Sequence, residues 1–185
     1  MRYTALFKAW HWLSAFVVSG LVGTVLLRKG FLSYRANSEI IMDKLLGVGV
    51  EVLRDDAIMV AKAIRDVMWQ WHIILGFMLA FLIVYRVLLA IFDKRDKIPF
   101  ASLGLHKKGV RVSYYIFYAS IVFMALSGFM LHFKEELALA EATFRSIKDL
   151  HEIVYNYFLI FIPLHIVGVV VAEVIEKHST SKVEE

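Results

Sequence analysis

Apolar residues run along this chain in four long blocks, roughly residues 6–27, 68–92, 110–133 and 153–175, each interrupted by few charges. A helix needs about 20 such residues to cross hydrocarbon about 30 Å thick, and every block meets that length. The pattern therefore predicts four transmembrane helices. Between the first two spans the chain changes character. From Ser38 to Asp66 apolar and charged positions mix at helical spacing, which predicts one or two amphipathic helices on the membrane surface. Ser38 is the expected N-cap of this segment, and Gly47 and Gly49 its expected break. A shorter piece, residues 135–148, has the same mixed character and suggests a second part of a helical cap. The expected fold class is all-α: an integral membrane four-helix bundle, one domain over residues 1–185, with a surface insertion over about residues 30–66.

Composition strengthens this reading. The 185 residues are 59% hydrophobic, against about 45–50% in soluble domains, and the mean hydropathy is +0.65. Cysteine is absent, so disulfides, iron–sulfur ligation and thiolate zinc sites are excluded. The first apolar block exceeds the 7–15 residues of a signal-peptide core and lacks an A-x-A-like cleavage site, so it reads as a retained helix. The net charge of +4 describes membrane-facing loops rather than a nucleic-acid surface.

Charge also predicts orientation. The linker between spans two and three carries Lys94, Arg95, Lys97, Lys107, Lys108 and Arg111 against Asp93 and Asp96, which places it, and with it both termini, in the cytoplasm. The linker between spans three and four sets Glu135, Glu136, Glu141 and Asp149 against Lys134, Arg145 and Lys148, which suits the outer side. Arg28, Lys29 and Arg35 run against the rule, because they follow span one on the expected outer face.

The candidate chemistry lies in the histidines. Four of the seven sit within spans: His11 in the first, His72 in the second, His151 and His165 in the fourth. Polar residues inside hydrocarbon are costly and mark function by default. With an inside N-terminus, His11 is near the inner end and His72 near the outer end. In span four His151 is near the outer surface, and His165 lies fourteen positions further on, about 21 Å deeper. Depth pairs His72 with His151 and His11 with His165. Fourteen residues at about 100° each leave an offset of about 40°, so both histidines of span four point to one side.

Two opposed imidazoles at each of two levels are what a six-coordinate haem iron needs, which predicts two haem b groups, with His11 and His165 on the inner iron and His72 and His151 on the outer. Filling both axial positions with protein favours electron transfer over oxygen chemistry at the metal. Gly76 shares a face with His72, and Gly168 with His165, so each offers room for a porphyrin. Ser127 and Gly128 late in span three offer the outer haem an approach to that helix. Arg86 lies fourteen residues after His72, at the level of the inner haem, where a propionate or quinone headgroup would pair with it. Pro163 lies two residues before His165 and is expected to kink span four.

Each of these features has a plainer reading. A lone histidine in a span is more often a hydrogen-bonded core residue than a ligand, but four at two matched depths fit that reading poorly. A non-haem cation would lack carboxylates, since Glu152 and Glu173 sit at span ends. Arg86 is equally placed to snorkel to the inner surface. Trp10, Trp12, Trp69 and Trp71 read as interfacial belts. Gly20 and Gly23 read as helix packing. Lys107, Lys108 and Arg111 read as topology determinants.

The residues K-A-W-H-W at His11, W-H-I-I-L-G at His72 with Tyr85-Arg86 after it, Leu126-Ser127-Gly128, and His151 followed by Pro163-Leu164-His165 resemble the bacterial cytochrome b561 family. The cytochrome b subunits of nickel–iron hydrogenases and formate dehydrogenases share the likeness, which covers all four spans. The resemblance implies the same histidine pairing, His11 with His165 and His72 with His151. It also implies a bacterial inner-membrane protein that moves electrons between membrane quinones and a partner: an electron-transfer protein or a quinone-linked oxidoreductase. A stand-alone b561-like cytochrome with an outer-face donor or acceptor is the first expectation. The membrane anchor of a complex with an iron–sulfur subunit is the second, and a haem-free transporter or scaffold is the alternative of another class. The long connection over residues 28–66 departs from the compact b561 pattern.

Overall fold

The computed structural model describes residues 5–92 and 99–181, without the side chains of His106 and of residues 176–181. The linker charges Asp93, Lys94, Arg95, Asp96 and Lys97 therefore lie outside the described residues, as do the side chains of His106 and His178. Five α-helices follow one another: α1 (Ala5–Lys29), α2 (Tyr34–Leu46), α3 (Arg54–Phe92), α4 (Leu105–His132) and α5 (Glu141–Ser181). A 3-10 turn, Phe100–Ser102, precedes α4, and no strand occurs among the described residues.

The helices α1, α3, α4 and α5 are long and apolar enough to cross a membrane. They alternate in direction and close a ring in which α1 meets α3, α3 meets α4, α4 meets α5, and α5 touches α1 most lightly. The pairs that set the registers are Trp10 with Leu82, Arg86 with Tyr118, Phe117 with Phe161, and His11 with His165. One end of the bundle, the near end, holds the start of α1 and the close of α3. The far end holds the close of α1 and the start of α5.

The core is small. It is built from Trp10, Val17, Val18, Leu79, Leu82, Ile121 and Phe158. The indole of Trp10 donates to the Leu82 carbonyl at 2.9 Å, so burying it leaves no orphaned donor. Large side chains such as Phe16, Phe81, Ile160 and Leu164 point outward. In water they would form an aggregating surface, whereas in lipid they meet their preferred solvent. The chain exposes 13947 Å², against about 9,000 Å² for a compact soluble monomer of this length. Long, thinly packed helices account for the difference.

The surface insertion differs from its predicted form. With 39 residues α3 is about 58 Å long, so its first turns project beyond the span. The helix α2 packs back on that projection through small residues: Ala57 and Ala61, four apart on one face, and Ser38 are all but fully buried. Ser38 is therefore not a cap. The N-cap position belongs to Ser33, and Ser38 sits inside α2, its Oγ donating to the Arg35 carbonyl at 2.9 Å. The predicted break at Gly47 and Gly49 is present, with Gly49 at φ +81°, the left-handed region that glycine enters without strain. Residues 135–148 do not form a separate helix. A turn follows His132, and Glu141 opens α5, which runs through Pro163 as continuous helix.

Candidate functional site

At the far level His72 lies on α3 and His151 on α5, close enough for the charge of His151 to act on His72. Each is held by a hydroxyl on a neighbouring helix. His72 Nδ1 lies 2.7 Å from Thr24 Oγ1 of α1, and His151 Nδ1 lies 2.7 Å from Ser127 Oγ of α4. The hydroxyl protons are already engaged. Thr24 donates to the Leu21 carbonyl at 2.7 Å, and Ser127 donates to the Phe123 carbonyl at 2.7 Å. A hydroxyl has one proton, so toward the imidazole each oxygen accepts. With the hydroxyl protons on those carbonyls, Nδ1 would carry hydrogen and Nε2 keep its lone pair, the tautomer a metal ligand requires.

Packing orders the same rings. Trp69 stacks on His72 with centroids 4.4 Å apart and planes 6° from parallel. Gly128 lies against His151: a Cβ there would stand 3.5 Å from His151 Cε1, an ordinary contact. Ser127 and Gly128, expected from the sequence to let the outer haem approach this helix, both lie against the His151 ring.

At the near level His11 on α1 and His165 on α5 face each other, with ring centroids 6.3 Å apart and planes at 63°. Two imidazoles bound at about 2 Å to one shared metal place their ring centres about 6 Å apart. Phe161 stacks on His165, 9° from parallel. Arg86 comes in from α3. Its guanidinium lies 4.5 Å from the Phe7 ring centre and 5.4 Å from that of Trp10, the residue before His11 in the chain, and its Nε donates to the Tyr118 hydroxyl at 3.4 Å. The arginine is thus folded inward on aromatic faces.

These residues suit a porphyrin better than a bare ion. Among the described residues no three His, Asp or Glu side chains gather to enclose a metal. Two nitrogen ligands per level are too few for zinc or calcium, but sufficient for an iron whose other four ligands come from a macrocycle. Nothing lies within 4 Å of where a Cβ on Gly76 or Gly168 would stand, and Gly168 is exposed. Two buried hydroxyls, Ser14 Oγ one turn from His11 and Tyr155 OH one turn from His151, have no protein partner among the described residues.

All five residues expected from the sequence fall at these two levels. Sequence reasoning missed Thr24, whose signal was a lone hydroxyl in an apolar run, and Tyr118. It also assigned all four tryptophans to belts. In Trp-x-Trp two residues lie about 200° apart on a helix, so one of each pair faces inward. Trp12 and Trp71 are exposed as a belt requires, while Trp10 is buried and Trp69 packs on His72.

A helical bundle with four spans long and apolar enough to cross a membrane and two histidine pairs at separate levels, each too sparse for a free metal ion, fits the membrane cytochrome b class. The chain belongs to the prokaryotic cytochrome b561 family, whose model matches residues 2–183. No curated protein and no solved structure matches it. Membership makes the chain a multi-pass bacterial membrane cytochrome that binds haem b and serves electron transfer.

Proposed function

We propose that this protein is a di-haem cytochrome carrying electrons between the quinone pool and a donor or acceptor at its far end, with His72 and His151 holding one haem b and His11 and His165 the other. The observation that carries the reading is the matched pair of hydroxyl contacts on Nδ1 of His72 and His151, which suits Nε2 of each as the ligand atom. The haem supplies reversible one-electron chemistry of its iron.

The chain supplies the rest. Thr24 and Ser127 hold the Nδ1 protons and fix ring orientation. Val17, Val18, Leu79 and Ile121 form the dry packing between the levels. Arg86 places a cation over Trp10 at the near level, where an anionic edge or a quinone carbonyl would pair with it. Lys107, Lys108 and Arg111 open α4 and assign the near end, with both termini, to the cytoplasm.

The test is the amount of haem per chain in purified protein, read as the pyridine haemochrome. About two per chain is expected if each facing pair holds one iron. A ratio near one removes one level, and a haem-free preparation overturns the reading.

A further inference from the structure

The cations that the positive-inside rule leaves unexplained lie against the far histidine pair. Arg28 sits 4.8 Å from the centre of the Trp69 ring, and Trp69 is stacked on His72. Lys29 sits 5.2 Å from the ring centre of Tyr155, one turn after His151. Adjacent cations at the close of α1 thus reach the neighbour of each far histidine. Together with Arg35 and Arg65 they line a cleft of about 330 Å³ in which Glu152 is the one lining carboxylate besides those four cations. That carboxylate is already engaged by Lys148 at 3.5 Å. Arg65 has Asp66 at 3.7 Å, which leaves the α1 cations without an acid of their own among the described ion pairs.

The phenol of Tyr34 lies in the same field. The hydrogen bond from Arg35 Nε, and then the charges of Arg35, Lys62 and Arg65, hold its pKa below the ordinary tyrosine value. Tyr155 adds a buried hydroxyl without a protein partner among the described residues. A cleft with surplus positive charge calls for an anion.

The chemistry of the ligand selects which anion. Haem b is apolar on three edges and carries two carboxylates on the fourth. Carboxylates in hydrocarbon are costly, so that edge turns to the closer interface. For a haem at the far level, that interface is this cleft. We infer that Arg28 and Lys29 bind the propionate carboxylates of the haem held between His72 and His151, an inference that rests on the di-haem reading. Arginine offers a bidentate fork and lysine a point charge.

The experiment is a potentiometric titration of the full chain in detergent, followed in the α-bands, with the far haem identified as the one retained in His11→Ala. A cation beside a haem disfavours the oxidised, more positive state, so the double variant R28Q/K29Q is expected to lower the far haem's reduction equilibrium constant about tenfold or more, about 59 mV for one electron. The near haem is expected to stay within about threefold, and R28K, which keeps the charge, to stay within about threefold of the parent. Loss of the far haem alone from R28Q/K29Q supports the inference equally. Where the double variant does not accumulate, R28Q and K29Q are read singly. Equal shifts of both haems, or none at full haem content, overturn it. So does an unchanged titration accompanied by lost binding to phosphatidylglycerol vesicles, since the cleft would then serve a lipid phosphate. Failure of the di-haem reading is separate, because it appears in the parent as fewer than two haems.

Discussion

The two levels of the bundle carry the same pair of side chains and hold them by different means. At the far level both imidazoles are clamped by hydroxyls from third and fourth helices, so α1, α3, α4 and α5 all converge on one plane. At the near level His11 and His165 face each other directly, ordered by Phe161 stacked on one ring and by the aromatic cluster around Arg86, with no hydrogen bond to either ring among the described residues. A hydrogen bond to the outer nitrogen fixes the tautomer and raises the basicity of the metal-facing one, while stacking fixes only the plane. The far site is thus preorganised by directional bonds. The near site is shaped by packing and tuned by a neighbouring charge.

The largest way to break this comparison is to remove a ligand. His165→Ala and His11→Ala are each expected to lower bound haem from two per chain to one and to remove the same haem, because the two rings share one level. Reduced-minus-oxidised spectra of the two variants should then superimpose. If either change removed the haem associated with His72 instead, the levels would not be independent and the pairing would be wrong.

The approach of His11 to His165 was legible in the sequence because it depends on helix geometry alone. Fourteen residues on one helix fix both depth and azimuth, and antiparallel spans do the rest. Span number was legible for the same reason. Helix ends were not. The apolar pattern stops near Met68, but between Arg54 and Met68 no glycine or proline interrupts the chain, so α3 starts fourteen residues before its span. Ser38 has the chemistry of a cap, yet its burial beside Ala57 and Ala61 depends on where α2 docks. Thr24 was invisible for a further reason. Its partner His72 lies 48 positions away on another helix, and a hydroxyl in an apolar run reads as neutral until that partner is known.

A middle-sized effect sharpens the difference between clamped and unclamped rings. Thr24→Val and Ser127→Ala each leave one Nδ1 proton without an acceptor, and loss of such a partner typically costs about 10–100-fold in metal affinity. Each variant is therefore expected to release its far haem about that much more readily in competition with apomyoglobin while retaining the near one. The far potential should also rise, since a less basic imidazole stabilises the oxidised iron less. This is the opposite sign to the loss of Arg28 and Lys29, so the two far-level effects separate in one titration. A rise at both levels would mean that the clamps act on the fold rather than on their own rings.

The smallest effect tests the near level's own device. Arg86→Leu removes a cation that sits among Phe7, Trp10 and Tyr118, and its expected result is a lower potential for the near haem, since the oxidised state is no longer disfavoured. The shift should be modest, because the rings and the 3.4 Å bond to Tyr118 already disperse part of the charge. A change of about three- to tenfold in the reduction equilibrium is expected at the near level, and less at the far one, which lies about 21 Å away along α5, because Coulomb energy falls with distance. Equal shifts at both levels would place Arg86 in the general field of the protein rather than at the near level. A near shift as large as the ligand deletions would instead make it part of the site's framework.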